Sequence, residues 1–355
     1  MALENAAYLA QQLDRVLIMP PITTNSHDKH NSNQRWSDFF DLPKFTELTG
    51  VRVVEWNDVR PMTAEQIEVG RAQVRMGKKS YEPWEAIAED LPCQIIYGFG
   101  DSERLHTTEL TFARQFLFRP RFIRPPPRNP KTIVHDRHKI GAKDNLNMDD
   151  IVTIEDLVGR YEDAADHLLF LSHSYKLKDP SGRQSWFKVG QYFHFRAHVL
   201  AFASELIQTR APQTKGPSMR YIAIHLRRGD IWQKCRQETM EERMACLTPL
   251  SYYAEVVDKV RASLGQDMPV IVTTDSDSEE DFKTMEELKW ARLDHASYST
   301  ESRLGIFGPA MVDAVILAEA DVMVGTYVSS MSRVAARRQK SWHDRVALYP
   351  QTRRV

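Results

Sequence analysis

The spacing of apolar residues predicts alternating helices and strands in the amino-terminal third of the chain. Apolar residues recur at helical intervals from Leu3 to Leu13. A short apolar run from Arg15 to Met19 then stops at Pro20 and Pro21, and a second run covers Val51 to Trp56. We therefore predict one helix followed by two short strands.

The first predicted element is unusual for this kind of fold. An α/β unit ordinarily opens with a strand and a glycine-containing turn. Neither precedes the helix that begins near Ala2. We expect Met1 to be an internal start, with the first strand of the domain missing.

The middle of the chain is less periodic. Residues Arg119 to Lys139 carry seven Arg or Lys and one acid around a triple proline, which predicts an extended surface segment. This segment is either a solvated loop or a strip that binds an acceptor or partner. We predict helices over Asp149 to Leu171 and Phe193 to Ile207, and a linker over Gln208 to Met219, which holds two prolines and a glycine.

Beyond the linker the alternation becomes regular. The predicted elements are strand Tyr221 to Leu226, helix Ser251 to Leu264, strand Val270 to Thr274, helix Ser278 to Leu288, helix Pro309 to Ala318, strand Asp321 to Val324, and a helix from near Ser329. Strands that alternate with helices predict a parallel sheet with right-handed crossovers. The fold class is therefore α/β.

Polar residues follow three of these strands directly. The first strand ends in the run His225-Leu-Arg227-Arg228-Gly-Asp230, the second in Asp275, and the third in Gly325-Thr326, with Ser329, Ser330 and Ser332 at the next helix start. Open α/β sheets bind ligands at the carboxyl ends of their strands. Arginine grips phosphate oxygens bidentately, and a helix amino terminus attracts anions. The pattern predicts a diphosphate site.

Each of these residues also has an ordinary structural explanation. His225 could be a core histidine, Asp313 a surface acid, and Ser329 a helix cap. The Arg-Gly-Asp tripeptide abuts a buried strand, which argues against a role in adhesion. One Asp-x-Asp follows a strand, and its Asp277 serves as a helix-start acid, so we predict no metal site.

Composition limits the alternatives. A chain of 355 residues is too long for one ordinary core, so we expect two domains. A net charge of −1 gives no reason to expect nucleic acid or an anionic membrane as a partner. The sequence shows no membrane span and no signal peptide. Cys235 and Cys246 bracket a polar loop, where they form either a disulfide or a pair of thiols.

Taken together, the motifs resemble the GDP-fucose-dependent fucosyltransferase superfamily, which includes protein O-fucosyltransferases. His225 to Asp230 is similar to the His-x-Arg motif of that family, and Val272 to Asp275 to its second block. The residues from Val312 to Ala335 are similar to the third block. The segment Ala2 to Pro21 is similar to the first helix and second strand of the amino-terminal domain.

The resemblance implies a GT-B architecture, with two Rossmann-like domains that face each other across a cleft. An acceptor-side domain would cover residues 1–207, a linker 208–219, and a GDP-sugar-binding domain 220–355. The implied reaction is an inverting, metal-independent transfer of L-fucose from GDP-β-L-fucose to a hydroxyl of a protein or glycan. The family also implies the lumen of the endoplasmic reticulum or Golgi.

The resemblance assigns roles to individual residues. Arg227 would contact the β-phosphate and stabilise the leaving group, His225 would contact the nucleotide, and Asp313 would accept hydrogen bonds from guanine. Ser329 and Thr326 would contact phosphate, and Ser330 at the same helix start is a further donor-binding residue. Arg228 and Asp230 would form a pair that supports the loop, and Asp275 would line or brace the cleft.

The chain departs from the family at its beginning. A glycine- and asparagine-containing loop that precedes the first helix in family members is missing here. We assign no general base, and Glu4 is the nearest carboxylate. A non-catalytic GDP-sugar-binding protein or a truncated gene product is therefore an alternative. Another is a Rossmann-type transferase that uses a different nucleotide sugar. The acceptor and the oligomeric state stay open.

Overall fold

The protein is described by a computed structural model in residues 2–19, 22, 34–55, 58, 93–96, 153–155, 158, 168–171, 184–210, 220–229, 231, 247–264, 268–327 and 329–350. The chain divides into two compact units, Met1–His194 and Phe195–Val355. The predicted domain limits stay predictions, because residues 211–219 of the linker lie outside the described residues. The basic segment Arg119 to Lys139, Asp230, Cys235 and Cys246 also lie outside them.

The first unit contains short parallel strand pairs and helices. The elements within its described residues are α1 (Ala2–Gln12), β1 (Leu17–Met19), α2 (Leu42–Thr49), β2 (Val53–Glu55), β3 (Cys93–Ile96), β4 (Leu168–Leu171) and α3 (Gln184–Lys188), with 3-10 helices at Trp36–Asp38 and Gly190–Tyr192. Strand β1 pairs with β2, and β3 pairs with β4, both in parallel. The helix and two strands predicted at the start of the chain are confirmed.

The prediction of a helix up to Leu171 is wrong in its last four residues. Leu168–Leu171 is strand β4, whose Leu168 lies opposite Cys93. A short run of apolar residues does not distinguish a buried strand from part of a helix. Here pairing with a strand more than 70 residues earlier in the sequence decides the conformation.

Helix α2 shows how local sequence sets the limits of an element. The Asp41 side chain accepts a hydrogen bond from the backbone N–H of Lys44 at 3.1 Å, which caps the amino terminus. Gly50 ends the helix in the left-handed conformation at φ 72°, which glycine adopts without strain. Phe45 on the buried face stacks on Phe193 with ring centroids 4.0 Å apart. This contact joins α2 to the segment that follows the 3-10 helix Gly190–Tyr192.

The second unit is a parallel α/β structure. The elements within its described residues are α4 (Ala197–Arg210), β5 (Ile222–Leu226), α5 (Leu250–Leu264), β6 (Val270–Thr274), α6 (Glu279–Glu287), β7 (Ala291–Arg292), α7 (Thr300–Leu304), α8 (Gly308–Glu319), β8 (Val322–Val324) and α9 (Ser330–His343). The four strands follow the order β7-β6-β5-β8, and all neighbours are parallel. The predicted parallel sheet is confirmed.

The order of the strands identifies the edge where a ligand should bind. The chain moves from β5 to β6 and β7 on one side, and returns to β8 on the other side of β5. Ile222 lies opposite both Val270 and Val322, so the three strands run in register. The strand order therefore reverses beside β5, and ligands of such sheets bind at the carboxyl ends near that position.

The core of this unit is packed around β5. All five residues of β5 are buried, and Ile222, Ile224 and Leu226 contact apolar side chains of the neighbouring strands and of α5. Burial of these side chains removes apolar surface from water, which is the main force that stabilises the sheet. The strand is therefore a fixed base for the polar residues that follow it.

Candidate active site

His225 is the first polar residue at the carboxyl end of β5. It is 5% exposed, and its Nδ1 lies 2.7 Å from the Oγ of Ser332 on α9. Burial lowers the pKa of His225 to about 4, although the carboxylate of Asp275 opposes the shift and the charge of Arg227 adds to it. The imidazole is therefore neutral near pH 7.

Thr326 joins three elements through its hydroxyl. Its Oγ1 donates to the backbone carbonyl of His225 at 2.8 Å and accepts from the backbone N–H of Arg227 at 3.1 Å. The hydroxyl has one proton, so the Tyr253 hydroxyl, 2.8 Å away on α5, is the donor in the third hydrogen bond. Thr326 is 8% exposed. Its predicted contact with phosphate stays a prediction, and the structure shows a role in joining β5, β8 and α5.

Gly325 allows α9 to approach β8 closely. A Cβ at this position would lie 3.0 Å from both Cβ and Oγ of Ser332, and 2.9 Å from Cε of Met323. The Oγ of Ser332 also accepts the backbone N–H of Thr326 at 3.0 Å. The absence of a side chain at residue 325 therefore permits the contacts that fix the start of α9 next to β8.

Helix α9 begins with two serines in different surroundings. Ser329 is the N-cap residue, is 8% exposed, and makes no capping hydrogen bond with its side chain. Ser330 is the first helical residue and is exposed. The helix start therefore lies at the carboxyl end of β8, as the sequence predicts, and its dipole favours an anion there. The phosphate contacts assigned to these serines stay predictions.

Asp275 at the end of β6 braces the loop that follows β5. Its carboxylate forms an ion pair with Arg227 and accepts the backbone N–H of Arg228 at 2.7 Å. A Cβ on Gly229 would collide with Oδ2 of Asp275 and lie 3.0 Å from its Cγ. The side chains of Arg227 and Asp275 are 25% and 31% exposed. The pair is thus oriented by the protein and still reached by solvent.

Arg228 is anchored differently from its neighbour. Its Nε donates to Oδ2 of Asp281 at 3.1 Å, its Nη1 donates to the carbonyl of Thr248 at 2.9 Å, and its side chain is 12% exposed. The Ser276 hydroxyl donates to the same Asp281 oxygen at 2.7 Å. The predicted pair of Arg228 with Asp230 stays untested, since Asp230 lies outside the described residues.

Asp281 is a site residue that the sequence did not reveal. It is the third residue of α6, and its backbone N–H donates to the Ser278 hydroxyl at 3.3 Å. The spacing Ser-x-x-Asp is a recognisable helix start. That signal identifies the helix but not the arginine that pairs with the acid.

Asp313 on α8 lies beside a histidine that the sequence also did not reveal. Its Oδ1 is 3.0 Å from Nε2 of His295, which follows β7. Burial raises the pKa of Asp313, the hydrogen bond with His295 opposes the shift, and repulsion from Asp275 adds to it. Strand β7 has two residues, which is too short for a periodic pattern, so its carboxyl end could not be located from the sequence.

The structure therefore brings most of the predicted residues to one edge of the sheet. Direct contacts connect His225, Arg227, Arg228, Asp275 and Thr326, and the start of α9 adjoins them through Ser332. Glu4 lies in the first unit, is 7% exposed on α1, and packs near Gly190. The general base stays unassigned.

The described ranges offer neither a metal-binding cluster nor a membrane-spanning helix. No group of three or more His, Cys, Asp or Glu side chains in those ranges could hold a metal ion. Every helix in those ranges is too short or too polar to cross a lipid bilayer.

The sequence model of the family described as "GDP-fucose protein O-fucosyltransferase" matches residues 1–341. The chain belongs to this family. The resemblance predicted from the motifs is therefore confirmed. The prediction that the chain is a fucosyltransferase-like glycosyltransferase is confirmed with it. No curated protein sequence matches the chain significantly.

Solved structures support the GT-B-like α/β fold of this family member. POFUT1 in complex with GDP-fucose aligns with TM-scores of 0.59 and 0.61 in two crystal forms. The sequence identities are 15% and 14%, and the alignments cover 99% and 98% of this chain and 93% of POFUT1. The fucosyltransferase NodZ from Bradyrhizobium aligns at a TM-score of 0.43 and 14% identity over 94% of this chain and 86% of NodZ. That score is too low to support an argument about the fold.

Proposed function

We propose that the protein transfers L-fucose from GDP-β-L-fucose to a hydroxyl of a protein or glycan acceptor. The observation that carries this proposal is the Arg227–Asp275 pair beside the start of α9, in a chain that belongs to the O-fucosyltransferase family. POFUT1 has been crystallised with GDP-fucose and with GDP, which supports the same donor here.

In the proposed reaction the acceptor oxygen attacks C1 of fucose from the face opposite the diphosphate, which inverts the anomeric configuration. The bond from C1 to the β-phosphate oxygen breaks, and GDP leaves with the electron pair. Arg227 and the N–H groups at the start of α9 would stabilise the negative charge that develops on GDP. These fixed donors support a mechanism that needs no metal ion. The acceptor proton passes to a base that is not assigned.

Asp313 would select guanine. An ionised carboxylate accepts hydrogen bonds from the N1–H and the 2-amino group of guanine, and adenine offers no such pair of donors on that edge. The side chain of Asp313 is 15% exposed, so its contacts are shielded from water. A carboxylate shielded from water discriminates more strongly between ligands. A ligand that leaves it without a hydrogen-bond donor loses more binding free energy there than it would in water.

The proposal extends to the architecture and the compartment. We infer two Rossmann-like domains across a cleft, with the acceptor bound by residues 1–207 and the donor by residues 220–355. Family membership further supports action in the lumen of the secretory pathway, where protein and glycan acceptors carry free hydroxyls.

A thermal-shift comparison of GDP, UDP and ADP tests the proposal. A ligand at about 100 times its Kd stabilises the folded state by about 2.7 kcal/mol, so GDP should raise the melting temperature and the other two should not. A larger shift with UDP or ADP than with GDP would favour a different nucleotide sugar. A second assay then measures the release of GDP from GDP-fucose in the presence of a series of protein and glycan acceptors. Binding of GDP without transfer to any acceptor would favour the non-catalytic alternative.

A further inference from the structure

His295 connects Asp313 to a second residue of the same unit. Its Nε2 lies 3.0 Å from Oδ1 of Asp313, and its Nδ1 lies 3.2 Å from Oγ1 of Thr300. The side chains of His295 and Asp313 are 21% and 15% exposed. Both ring nitrogens therefore have partners, and the ring is held between α7 and α8.

The backbone around His295 is fixed as well. The N–H of Thr300, a residue with no exposed surface, donates to the carbonyl of His295 at 3.0 Å. Gly308 at the start of α8 packs so closely that a Cβ there would lie 3.1 Å from the Thr300 carbonyl and 2.7 Å from Cβ of Leu304. Helix α8, which carries Asp313, is thus held against α7, whose first residue, Thr300, bonds to the backbone of His295.

The chemistry of the pair determines which nitrogen carries the proton. An ionised carboxylate only accepts hydrogen bonds, so Nε2 must be protonated when it bonds to Asp313. In the tautomer that carries its proton on Nε2, Nδ1 accepts from the Thr300 hydroxyl. One lone pair of Oδ1 is used by His295, while the other lone pairs of the carboxylate remain for a ligand that presents two neighbouring N–H groups.

We propose that His295 is a positioning residue that orients the Asp313 carboxylate toward the N1–H and 2-amino group of a guanine ring. This inference rests on the proposed function, because it assumes a guanine nucleotide as donor. It adds a specificity-determining contact that acts through Asp313. His295 itself does not touch the ligand in this arrangement.

The test compares GDP with inosine diphosphate, which lacks the 2-amino group, by calorimetry on the full chain. Wild-type protein should bind GDP more tightly. His295→Ala should weaken GDP binding about tenfold, because a carboxylate that is no longer oriented cannot accept well from both N1–H and the 2-amino group. Inosine diphosphate has no 2-amino group, so its binding should weaken less. His295→Gln places an amide N–H near the position of Nε2 and should restore most of the preference.

A matched control is the pair that His343, the last residue of α9, forms with a carboxylate of α8. His343 lies 3.1 Å from the carboxylate of Glu319, the last residue of α8. His343→Ala removes a histidine–carboxylate pair from α8 at a position away from Asp313, and should leave the GDP preference unchanged. A general loss of preference in both alanine variants would overturn the assignment to His295.

The outcomes separate this inference from the proposed function. If the wild-type protein did not bind GDP, both the proposed function and this inference would be overturned. Tight GDP binding with an unchanged GDP preference in folded His295→Ala would overturn this inference alone. If His295→Ala does not fold, nitrogen NMR of the wild-type protein decides, because the proposal requires a proton on Nε2 of His295 and an unprotonated Nε2 would overturn it.

Discussion

Arg227 and Arg228 are adjacent in sequence but have different surroundings. Arg227 is 25% exposed and pairs with Asp275, while Arg228 is 12% exposed and donates to Asp281 and to the Thr248 carbonyl. The bonds of Arg228 hold the loop to the start of α6 and to the chain before α5. Arg227 is thus the arginine suited to a ligand, and Arg228 the one that supports the fold.

Replacement of the two arginines should therefore have different effects. Arg227→Ala should lower turnover about 100-fold or more, the scale for loss of one oriented charge donor, with little change in stability. Arg228→Ala should cost about 1 to 3 kcal/mol of folding free energy, because the Asp281 carboxylate and the Thr248 carbonyl lose their donor. GDP release and urea unfolding measure the two effects. Near-normal turnover in Arg227→Ala would contradict the assignment.

The neutral state of buried His225 predicts a loss of stability in acid. Its pKa is about 4 in the folded protein against 6.5 for an ordinary histidine. Between these values the unfolded chain binds a proton that the folded chain does not, so stability falls as the pH drops from about 6.5 to about 4. The loss amounts to about 3 kcal/mol.

Urea unfolding at a series of pH values checks this prediction. His225→Asn keeps a polar atom near Nδ1 but does not titrate, so its stability should fall less over the same interval. The exposed His198 on α4 provides the control, and His198→Asn should keep the full loss. Equal pH dependence in wild type and His225→Asn would show that another group is responsible.

At the scale of elements, apolar runs were sufficient to predict β5, β6 and β8. They were not sufficient for β7, which has two residues, or for α7, which has five. These elements depend on contacts with distant parts of the chain, such as the pairing of Ile271 with Ala291. For the same reason the sequence revealed Asp313 and Arg228 as candidates but not their partners His295 and Asp281.

The contact between the loop after β5 and the end of β6 can be tested by a double-mutant cycle. Gly229→Ala should destabilise the protein by about 1 to 3 kcal/mol, because the new Cβ collides with the Asp275 carboxylate. In an Asp275→Ala background the carboxylate is gone, and the same change should cost much less. Chemical denaturation of the four proteins gives the coupling free energy. Additive effects would mean that the collision is relieved elsewhere.

At the scale of the whole molecule, all described contacts of the candidate donor site lie within the unit Phe195–Val355. The order of the motifs along the sequence predicted this, because each motif follows a strand of one parallel sheet. The limits of the units could not be predicted in the same way. They depend on which helices pack together, and helix α4 packs against α8 of the second unit.

Hydrogen exchange on the full chain should show the same division. Addition of GDP should slow amide exchange at the carboxyl ends of β5, β6 and β8 and at the start of α9, because these amides lie at the proposed site. The unit Met1–His194 should change little. Inosine diphosphate should protect the same amides more weakly, and protection confined to the first unit would contradict the location of the donor site.

The hydrogen bonds of the Thr326 hydroxyl have a consequence for the energetics and speed of binding. They join β5, β8 and α5 within the protein itself, so this junction does not have to be ordered by a nucleotide. Little conformational entropy should then be lost at this junction when a nucleotide binds. The observed association rate should rise linearly with nucleotide concentration, without the plateau that a slow rearrangement would produce.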